Sequence, residues 1–218
     1  MSTSQLKHWT GQFGKTYTDR NNLGVQGMQD LAKKNFGHSQ SQLYRQLFQG
    51  IRINTVLEVG CNVGYQLGIL KKLKPNYQLT GVEPQAYALK LARKNYPQIT
   101  FVKGNIFNLP FPDNSFDLVF TKGVLIHIHP QDLLRGLKEI HRVSKHFIAG
   151  LEYYAQRHTQ VKYRGHQSLL WKSNFQRQYL NQFPQLKVIR SRLLEFSPQI
   201  YGRKGLFEQH FLLKKVNL

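Results

Sequence analysis

The sequence predicts an α/β fold with a doubly wound, mostly parallel sheet of seven strands that ends in a C-terminal antiparallel hairpin. Two observations carry this prediction. Between residues 55 and 154, short apolar segments alternate with segments whose apolar residues recur at helical spacing, and such alternation is typical of a parallel sheet. After residue 154, two long strand-like segments follow one another, and consecutive strands joined by a short turn pair antiparallel.

The first 50 residues are expected to lie outside the sheet. Residues 1–25 are polar, aromatic and glycine-bearing, and they predict an N-terminal arm. Two helical patterns follow at 26–36 and 40–50, the second closed by Gly50. We predict that residues 1–50 form a lid and that residues 51–218 form the core.

The core elements follow in chain order. Strands are predicted at TVLEVG, QLTGVEP, ITFVKGN, FDLVFTKG and KHFIAGLEYY, and helices at YQLGILKKL, AYALKLARKNY and PQDLLRGLKEIHRVS. Proline residues end the first two helices and start the third. The polar segment AQRHTQVKYRGHQSLL predicts an irregular insertion at about residues 155–172. A helix at WKSNFQRQYLNQF precedes the hairpin strands LKVIRSRLLEF and LFEQHFLLKK, which turn around YGRKG.

The charge of the chain predicts an anionic partner. Lys and Arg number 31 against 11 Asp and Glu, for a formal net charge of +20, which attracts nucleic acid, phosphorylated small molecules, acidic proteins or membrane surfaces. The basic residues are spread along the chain without a long run, so an anionic small molecule is favoured while nucleic acid stays open.

Composition also limits the class of protein. Cys61 is the only cysteine, which excludes an internal disulfide scaffold. No apolar run approaches the roughly 18 residues of a membrane-spanning helix, and the N-terminus lacks a secretory h-region. We therefore expect a cytoplasmic protein without a membrane span, present as a monomer or a homodimer.

Three predicted strands end in polar residues that suit one cofactor. The loop after the first strand reads Glu58-Val-Gly-Cys-Asn-Val-Gly64, which has neither dinucleotide-cradle nor P-loop spacing. A carboxylate at that place would repel a pyrophosphate and favour a cationic cofactor such as S-adenosylmethionine. Glu83 ends the second strand, where an acid can accept hydrogen bonds from a ribose diol, and Asn105 follows the third strand, within reach of an adenine.

These motifs, EVGCNVG, GVEP, GNIFNLPF and FDLVF, resemble those of the class I S-adenosylmethionine-dependent methyltransferases over roughly residues 50 to 154. The resemblance implies a Rossmann-like sheet and a methyltransferase. The sequence departs from the family at Asn62, where glycine is usual, and at Asn105, where aspartate is usual. The implied cofactor residues are Glu58, Gly60, Cys61, Asn62, Gly64, Glu83, Pro84, Asn105, Ile106, Lys122 and Gly123.

A narrower resemblance involves segments outside the general fold signature. WTGQFGKTYTDRN near the start and VKYRGHQSLLWKSNF near the end are similar to the methylases associated with pseudaminic acid biosynthesis. This similarity implies a nucleotide-linked or surface-polysaccharide sugar as the acceptor. From the arm, Tyr17 and Arg20 are expected to face the carboxylate of the cofactor, because a guanidinium binds a carboxylate with two hydrogen bonds.

Catalytic and acceptor-binding residues are expected at the remaining strand ends and in the insertion. His127 follows the fourth strand and Glu152 ends the fifth, and either suits a general base. His127 and His129 lack the accompanying ligands of a metal site, so no metal is predicted. The expected acceptor-binding residues are Asn21, Tyr153, Tyr163, Arg164 and His166. Two alternatives stay open: a methyltransferase of RNA or a peptide, and a non-catalytic binding protein with this fold.

Overall fold

The computed structural model describes residues 3–202 and 204–216. Residues 1–2 of the predicted arm and Arg203 of the predicted turn therefore lie outside the described residues. One sheet of seven strands dominates the structure, in the order β3-β2-β1-β4-β5-β9-β8. This arrangement confirms the predicted Rossmann-like architecture.

Residues 4–20 are helical, where the sequence had predicted an arm, and the predicted helical patterns at 26–36 and 40–50 are confirmed as helices. The helices of this N-terminal segment are α1 (Ser4–Thr10), α2 (Gln12–Arg20), α3 (Gly24–Phe36) and α4 (Gln40–Leu47). The side chain of Thr3 caps α1 by accepting a hydrogen bond from the Leu6 N–H, and Gly11 separates α1 from α2. Helix α4 starts at a Ser39 capping box and ends at Leu47, earlier than the predicted residue 50.

The central elements alternate as predicted. They are β1 (Thr55–Val59), α5 (Tyr65–Leu73), β2 (Gln78–Glu83), α6 (Ala86–Asn95), β3 (Thr100–Lys103), β4 (Phe116–Lys122), a 3₁₀ turn (Leu125–His127), α7 (Pro130–Val143) and β5 (Ser144–Tyr154). Strand β1 pairs in parallel with β2 and β4, β2 with β3, and β4 with β5. The strand order changes direction between β1 and β4, so a crevice is expected at their carboxyl ends.

The C-terminal third completes the sheet. It contains β6 (Thr159–Gln160), β7 (Trp171–Lys172), α8 (Phe175–Gln182), β8 (Leu186–Glu195), α9 (Pro198–Tyr201) and β9 (Phe207–Lys215). Strand β9 lies between β5 and β8 and is antiparallel to both. The predicted insertion is more ordered than the sequence suggested, because β6 and β7 pair as a short ribbon. Because Trp171 and Lys172 form β7, α8 starts only at Phe175, later than the predicted start at Trp171.

Helices cover both faces of the sheet. Helices α4, α5 and α6 pack on one face, where Tyr44, Leu67 and Leu89 are buried in one apolar cluster with residues of β1 to β4. Helices α7 and α8 pack on the other face, with Leu137 and Phe175 buried. No helix within the described ranges is both long and apolar enough to cross a bilayer. Burial on both faces leaves the strand ends as the place for polar groups.

Candidate functional site

A cavity of about 300 Å³ lies at the carboxyl ends of the parallel strands. The loops after β1, β2, β3 and β4 form its floor, and residues of α1, α2 and α3 form its roof. Of the residues expected in the site, those that line the cavity are Tyr17, Asn21, Glu58, Gly60, Cys61, Asn62, Glu83, Pro84, Asn105, Ile106, Lys122, Gly123, His127 and Tyr153. The expected residues outside the lining are Arg20, Gly64, Glu152, Tyr163, Arg164 and His166.

The loop after β1 is held in a left-handed conformation at three positions. Gly60, Asn62 and Gly64 have φ values of +76°, +47° and +80°. A Cβ atom on Gly64 would lie 2.7 Å from the ring of Phe101, so this glycine allows the loop to pack on β3 rather than to approach a ligand. Asn62 stands where the family usually has glycine, and asparagine adopts positive φ more readily than most residues.

Glu58 presents an unsatisfied carboxylate oxygen. The residue is 2% exposed, and its Oε2 atom has no hydrogen-bond partner among the described residues. Burial raises the pKa of the Glu58 carboxyl well above its usual range, and the nearby Glu83 raises it further. A buried acceptor of this kind calls for a cationic or hydrogen-bond-donating ligand, since an unpaired buried polar atom costs free energy.

Glu83 joins the loops after β1 and β2. Its Oε2 atom accepts a hydrogen bond from the Asn62 N–H at 3.0 Å, and its Oε1 atom accepts one from the Gln85 N–H at 2.9 Å. Burial raises the pKa of Glu83 to about 7, against the lowering effect of these two bonds. Each oxygen retains a second lone pair, so the carboxylate can still accept two hydrogen bonds from a diol.

Asn105 shapes the loop after β3. Its Oδ1 atom accepts a hydrogen bond from the Phe107 N–H at 2.9 Å, which leaves the side-chain NH₂ and one lone pair for a ligand. Further along the loop, Arg142 donates to the carbonyl oxygens of Leu109 and Phe111 at 3.0 and 2.8 Å. The adjoining part of the loop is thereby fixed to α7.

The N-terminal helices are bound to the cofactor side of the cavity. The side-chain amide of Gln85 donates to the carbonyl oxygens at the junction of α1 and α2, namely those of Trp9, Thr10 and Gly11. Tyr17 is half-buried at the cavity, and its loss of solvent raises the pKa of the phenol. Arg20, expected beside Tyr17, is exposed.

His127 is held in one tautomer. Its Nδ1 atom lies 2.7 Å from the carbonyl oxygen of Leu169, and a carbonyl can only accept, so Nδ1 carries the proton and Nε2 keeps its lone pair. Burial lowers the pKa of His127 to about 4, although the bond to Leu169 opposes this. The ring packs against Trp9 with centroids 4.4 Å apart. The site therefore contains a neutral imidazole near pH 7.

Glu152 lies beneath the cavity and holds the loop that carries His127. It is 1% exposed, and its carboxylate accepts hydrogen bonds from the Val124 N–H at 3.1 Å and the Ile126 N–H at 3.5 Å. Burial raises the pKa of Glu152 to about 7. Because backbone donors occupy this carboxylate, its position favours a structural contribution over the base that the sequence suggested.

The tip of the insertion touches the N-terminal helices at the mouth of the cavity. His166 packs against His8 and Phe13, with ring centroids 5.0 and 5.4 Å apart. Tyr163 lies 5.4 Å from the ring of His127. Arg164 is exposed. These residues close the entrance instead of lining the interior.

Sequence reasoning missed several groups in the cavity. Gln85 and Gln40 were not singled out, and neither was Glu208 of β9, which forms an ion pair with Lys122 at 3.1 Å. The signal for Glu208 was an acid inside the otherwise apolar pattern LFEQHFLLKK. Only strand pairing brings it within reach of Lys122 at the end of β4, because β9 pairs with β5, which pairs with β4.

Comparison with known proteins identifies the class of domain. Residues 57–146 match the model of a methyltransferase domain. A demethylmenaquinone methyltransferase of Chlorobaculum tepidum is 35% identical over 101 residues, covering 46% of this chain and 40% of that protein. A probable S-adenosylmethionine-dependent methyltransferase of Mycobacterium tuberculosis is 29% identical over 123 residues, covering 56% of this chain and 43% of that protein.

The fold extends beyond the matched segment. The crystal structure of the PH0226 protein from Pyrococcus horikoshii OT3 superposes with a TM-score of 0.68 over 94% of this chain and 99% of that one, at 14% identity. The match of residues 57–146 to a methyltransferase domain agrees with the domain class that the sequence motifs predicted. The narrower resemblance to pseudaminic acid methylases stays a prediction.

Proposed function

We propose that this protein is an S-adenosylmethionine-dependent methyltransferase that acts on a small anionic molecule. The observation that carries the proposal is the pair of buried acids, Glu58 and Glu83, at the ends of adjacent strands in one cavity. Isolated buried carboxylates are costly unless a ligand pairs with them. A ligand that carries both a cation and a ribose diol would satisfy both carboxylates, the cation at Glu58 and the diol at Glu83.

The residues present fit this cofactor. The unpartnered oxygens of Glu58 and Asn62 would accept from the ammonium group. Glu83 would accept from the ribose diol, and Asn105 with Ile106 would border the adenine. Tyr17 and Trp9 would cover the methionine end, the Nε1–H of Trp9 being a buried donor without a partner among the described residues.

S-adenosylmethionine supplies a methyl group bonded to a positively charged sulfur. The protein's task is to hold an acceptor atom in line with that bond and to exclude water. For a hydroxyl or amine acceptor, His127 Nε2 would take the proton that the acceptor loses on methylation. An ionised acceptor would need no base.

The roof of the cavity supports a small acceptor over a polymer. Helices α1 and α2 and the insertion tip meet above the cavity through the ring contacts of His8, Phe13 and His166. The net charge of +20 would steer an anion towards this entrance. A nucleotide-linked sugar, implied by the narrower resemblance, and a demethylated quinone, suggested by the name of the Chlorobaculum relative, are the first acceptors to screen.

Calorimetry with S-adenosylhomocysteine tests the proposal. Micromolar binding by the wild type, lost in Glu83→Ala and kept in Asp30→Ala, is expected, because Asp30 is an exposed acid on α3 away from the cavity. Thermal unfolding of each variant checks that the fold is retained. If the wild type does not bind S-adenosylhomocysteine, the chain is a non-catalytic binding protein or uses another ligand.

A further inference from the structure

The cavity has a second half that Glu58, Glu83 and Asn105, the groups proposed for the cofactor, do not occupy. It contains Lys122, which the sequence resemblance had assigned to the cofactor and which is reassigned below. Glu58, Glu83 and Asn105 lie over β1, β2 and β3, on one side of the switch point between β1 and β4. Lys122 ends β4, and Tyr153 and Glu208 face each other across β5 and β9 on the other side. If the proposed cofactor takes the first half, the second half is left for the acceptor.

A buried ion pair forms the polar end of this second half. Lys122 Nζ lies 3.1 Å from Glu208 Oε1, and the same oxygen lies 2.6 Å from His210 Nε2. Burial opposes ionisation of Glu208, but Lys122 and His210 outweigh it and lower the pKa of Glu208 to about 2. Glu208 is therefore a fixed anion, an acceptor of hydrogen bonds and a weak base.

The pair has unused hydrogen-bonding capacity towards the cavity. Both contacts of Glu208 use Oε1, and Oε2 has no hydrogen bond among the described residues. Lys122 uses one of its three N–H donors. Gln40 also lines the cavity, is 1% exposed, and its Nε2 atom has no hydrogen-bond partner in the described part of the chain. Lys122 and Glu208 therefore keep spare donor and acceptor capacity while in contact with each other, and Gln40 adds an unpartnered donor to the lining of the same cavity.

The walls of this half are apolar. Phe36 and Phe196 line the cavity with ring centroids 4.7 Å apart, and their rings lie 6.3 and 5.4 Å from those of His210 and Tyr153 in this half. Leu31 of α3 also lines the cavity. Leu31 is 38% exposed, so the apolar wall continues to the surface. A ligand that satisfies both features is polar at one edge and flat and apolar over the rest.

We propose that Lys122 and Glu208 select the methyl acceptor, an aromatic or conjugated molecule with an ionised or carbonyl oxygen next to a hydroxyl group. Lys122 and Gln40 donate to the first oxygen, and the hydroxyl donates to Glu208 Oε2. The two groups must be adjacent on the ligand, because Lys122 Nζ and the carboxylate it contacts are themselves adjacent. This assignment rests on the proposed function for the location of the cofactor.

Binding of small aromatic probes tests this selection. Calorimetry would compare 2-hydroxybenzoate with 4-hydroxybenzoate, benzoate and UDP-glucose, on protein saturated with S-adenosylhomocysteine. We expect 2-hydroxybenzoate to bind about tenfold more tightly than its isomer and benzoate, since each lacks one charge-assisted contact. UDP-glucose, which has no flat apolar part at its hydroxyl groups, should bind more weakly than 2-hydroxybenzoate.

Variants show which residues make the distinction. Lys122→Met combined with Glu208→Gln removes both charges of the pair and leaves no lone buried ion, so the fold should survive. The preference for 2-hydroxybenzoate should disappear in this double variant and persist in Lys103→Met, which loses an exposed lysine at the end of β3. The isomers are compared on each protein saturated with S-adenosylhomocysteine, whose affinity is measured separately because Lys122 also lowers the pKa of Glu58.

The outcomes separate this inference from the proposed function. The inference is overturned by equal affinity for the two hydroxybenzoate isomers, by absence of probe binding, or by a preference for UDP-glucose that depends on Lys122. In each of these cases, binding of S-adenosylhomocysteine would still support the cofactor site. If S-adenosylhomocysteine fails to bind, the proposed function is wrong, and the isomer comparison on the free protein still decides whether the pair reads adjacent oxygens.

Discussion

The side-chain amide of Gln85 donates a hydrogen bond to the carbonyl oxygen of Thr10 at 3.0 Å, across 75 residues of sequence. The same nitrogen approaches two neighbouring carbonyl oxygens, of Trp9 and Gly11, at 3.3 and 3.1 Å. Since Gln85 follows Glu83 in the loop after β2, the junction of α1 and α2 is bound to the loop that would hold the ribose. The roof of the cavity is therefore hydrogen-bonded directly to the loop after β2.

Replacing the donor at Gln85 should loosen this roof. Gln85→Glu keeps the oxygen that accepts from the Tyr87 N–H but removes both donors and turns a carboxylate towards three carbonyl groups. We expect faster amide hydrogen exchange in residues 4–20 and about tenfold weaker S-adenosylhomocysteine binding. Unchanged exchange in α1 and α2 would show that other contacts hold the roof. Gln178→Glu, on the separate helix α8, is the matched control.

Binding of S-adenosylhomocysteine should strengthen as pH rises towards 7. In the free protein Glu83 has a raised pKa of about 7 because it is buried. Hydrogen bonds from a ribose diol stabilise the ionised form and lower that pKa, so binding releases protons below pH 7. Affinity should rise by at most about tenfold per pH unit between pH 6 and 7 and level off above.

Calorimetry in two buffers of different ionisation enthalpy measures this proton release directly. The slope should become shallower in Glu83→Gln, where Glu58 alone contributes in the same direction. An affinity that falls as pH rises from 6 to 7 would contradict the assignment of Glu83 to the diol.

Removing the Nε2 lone pair of His127 should slow methyl transfer without weakening cofactor binding. In His127→Asn the side-chain NH₂ can still donate to the Leu169 carbonyl, as Nδ1–H does now. A lost general base costs about 10²–10⁴ in rate. The measurement is single-turnover methyl transfer to an acceptor found in the screen, with S-adenosylhomocysteine affinity as control. Full activity would mean that the acceptor reacts already ionised.

Alanine substitutions at Gly64 and Gly165 should distinguish the cost of overpacking from the cost of backbone strain. Both have φ near +80°, but a Cβ on Gly64 would lie 2.7 Å from Phe101, whereas one on Gly165 meets nothing within 4 Å. Gly165→Ala should lower the free energy of unfolding by about 1–2 kcal/mol from left-handed strain alone. Gly64→Ala should lose about 1–3 kcal/mol more from overpacking. Urea unfolding measures both, and equal losses would show that Phe101 yields freely.

The sequence alone predicted the elements and the chemistry of the strand ends. Alternating apolar segments predicted the parallel sheet, because burial on both faces demands continuous apolar strands. Glu58, Glu83 and Asn105 stand out for the same reason, since polar residues at the ends of such strands have no core to join. The helices within residues 4–20 escaped prediction, because Gly11 and Gly14 interrupt a short pattern that only capping and packing stabilise.

Tertiary structure decided which side chains share the cavity. Gln85 meets Thr10, and Lys122 meets Glu208, only because the N-terminal helices fold back over β2 and because β9 returns beside β5. The sequence had placed Glu152 and Gly64 in the site. In the structure, backbone N–H groups bind the Glu152 carboxylate, and Gly64 packs against the ring of Phe101. Local pattern fixes periodicity and strand ends, whereas long-range pairing determines which polar groups face one another and which are satisfied by the backbone.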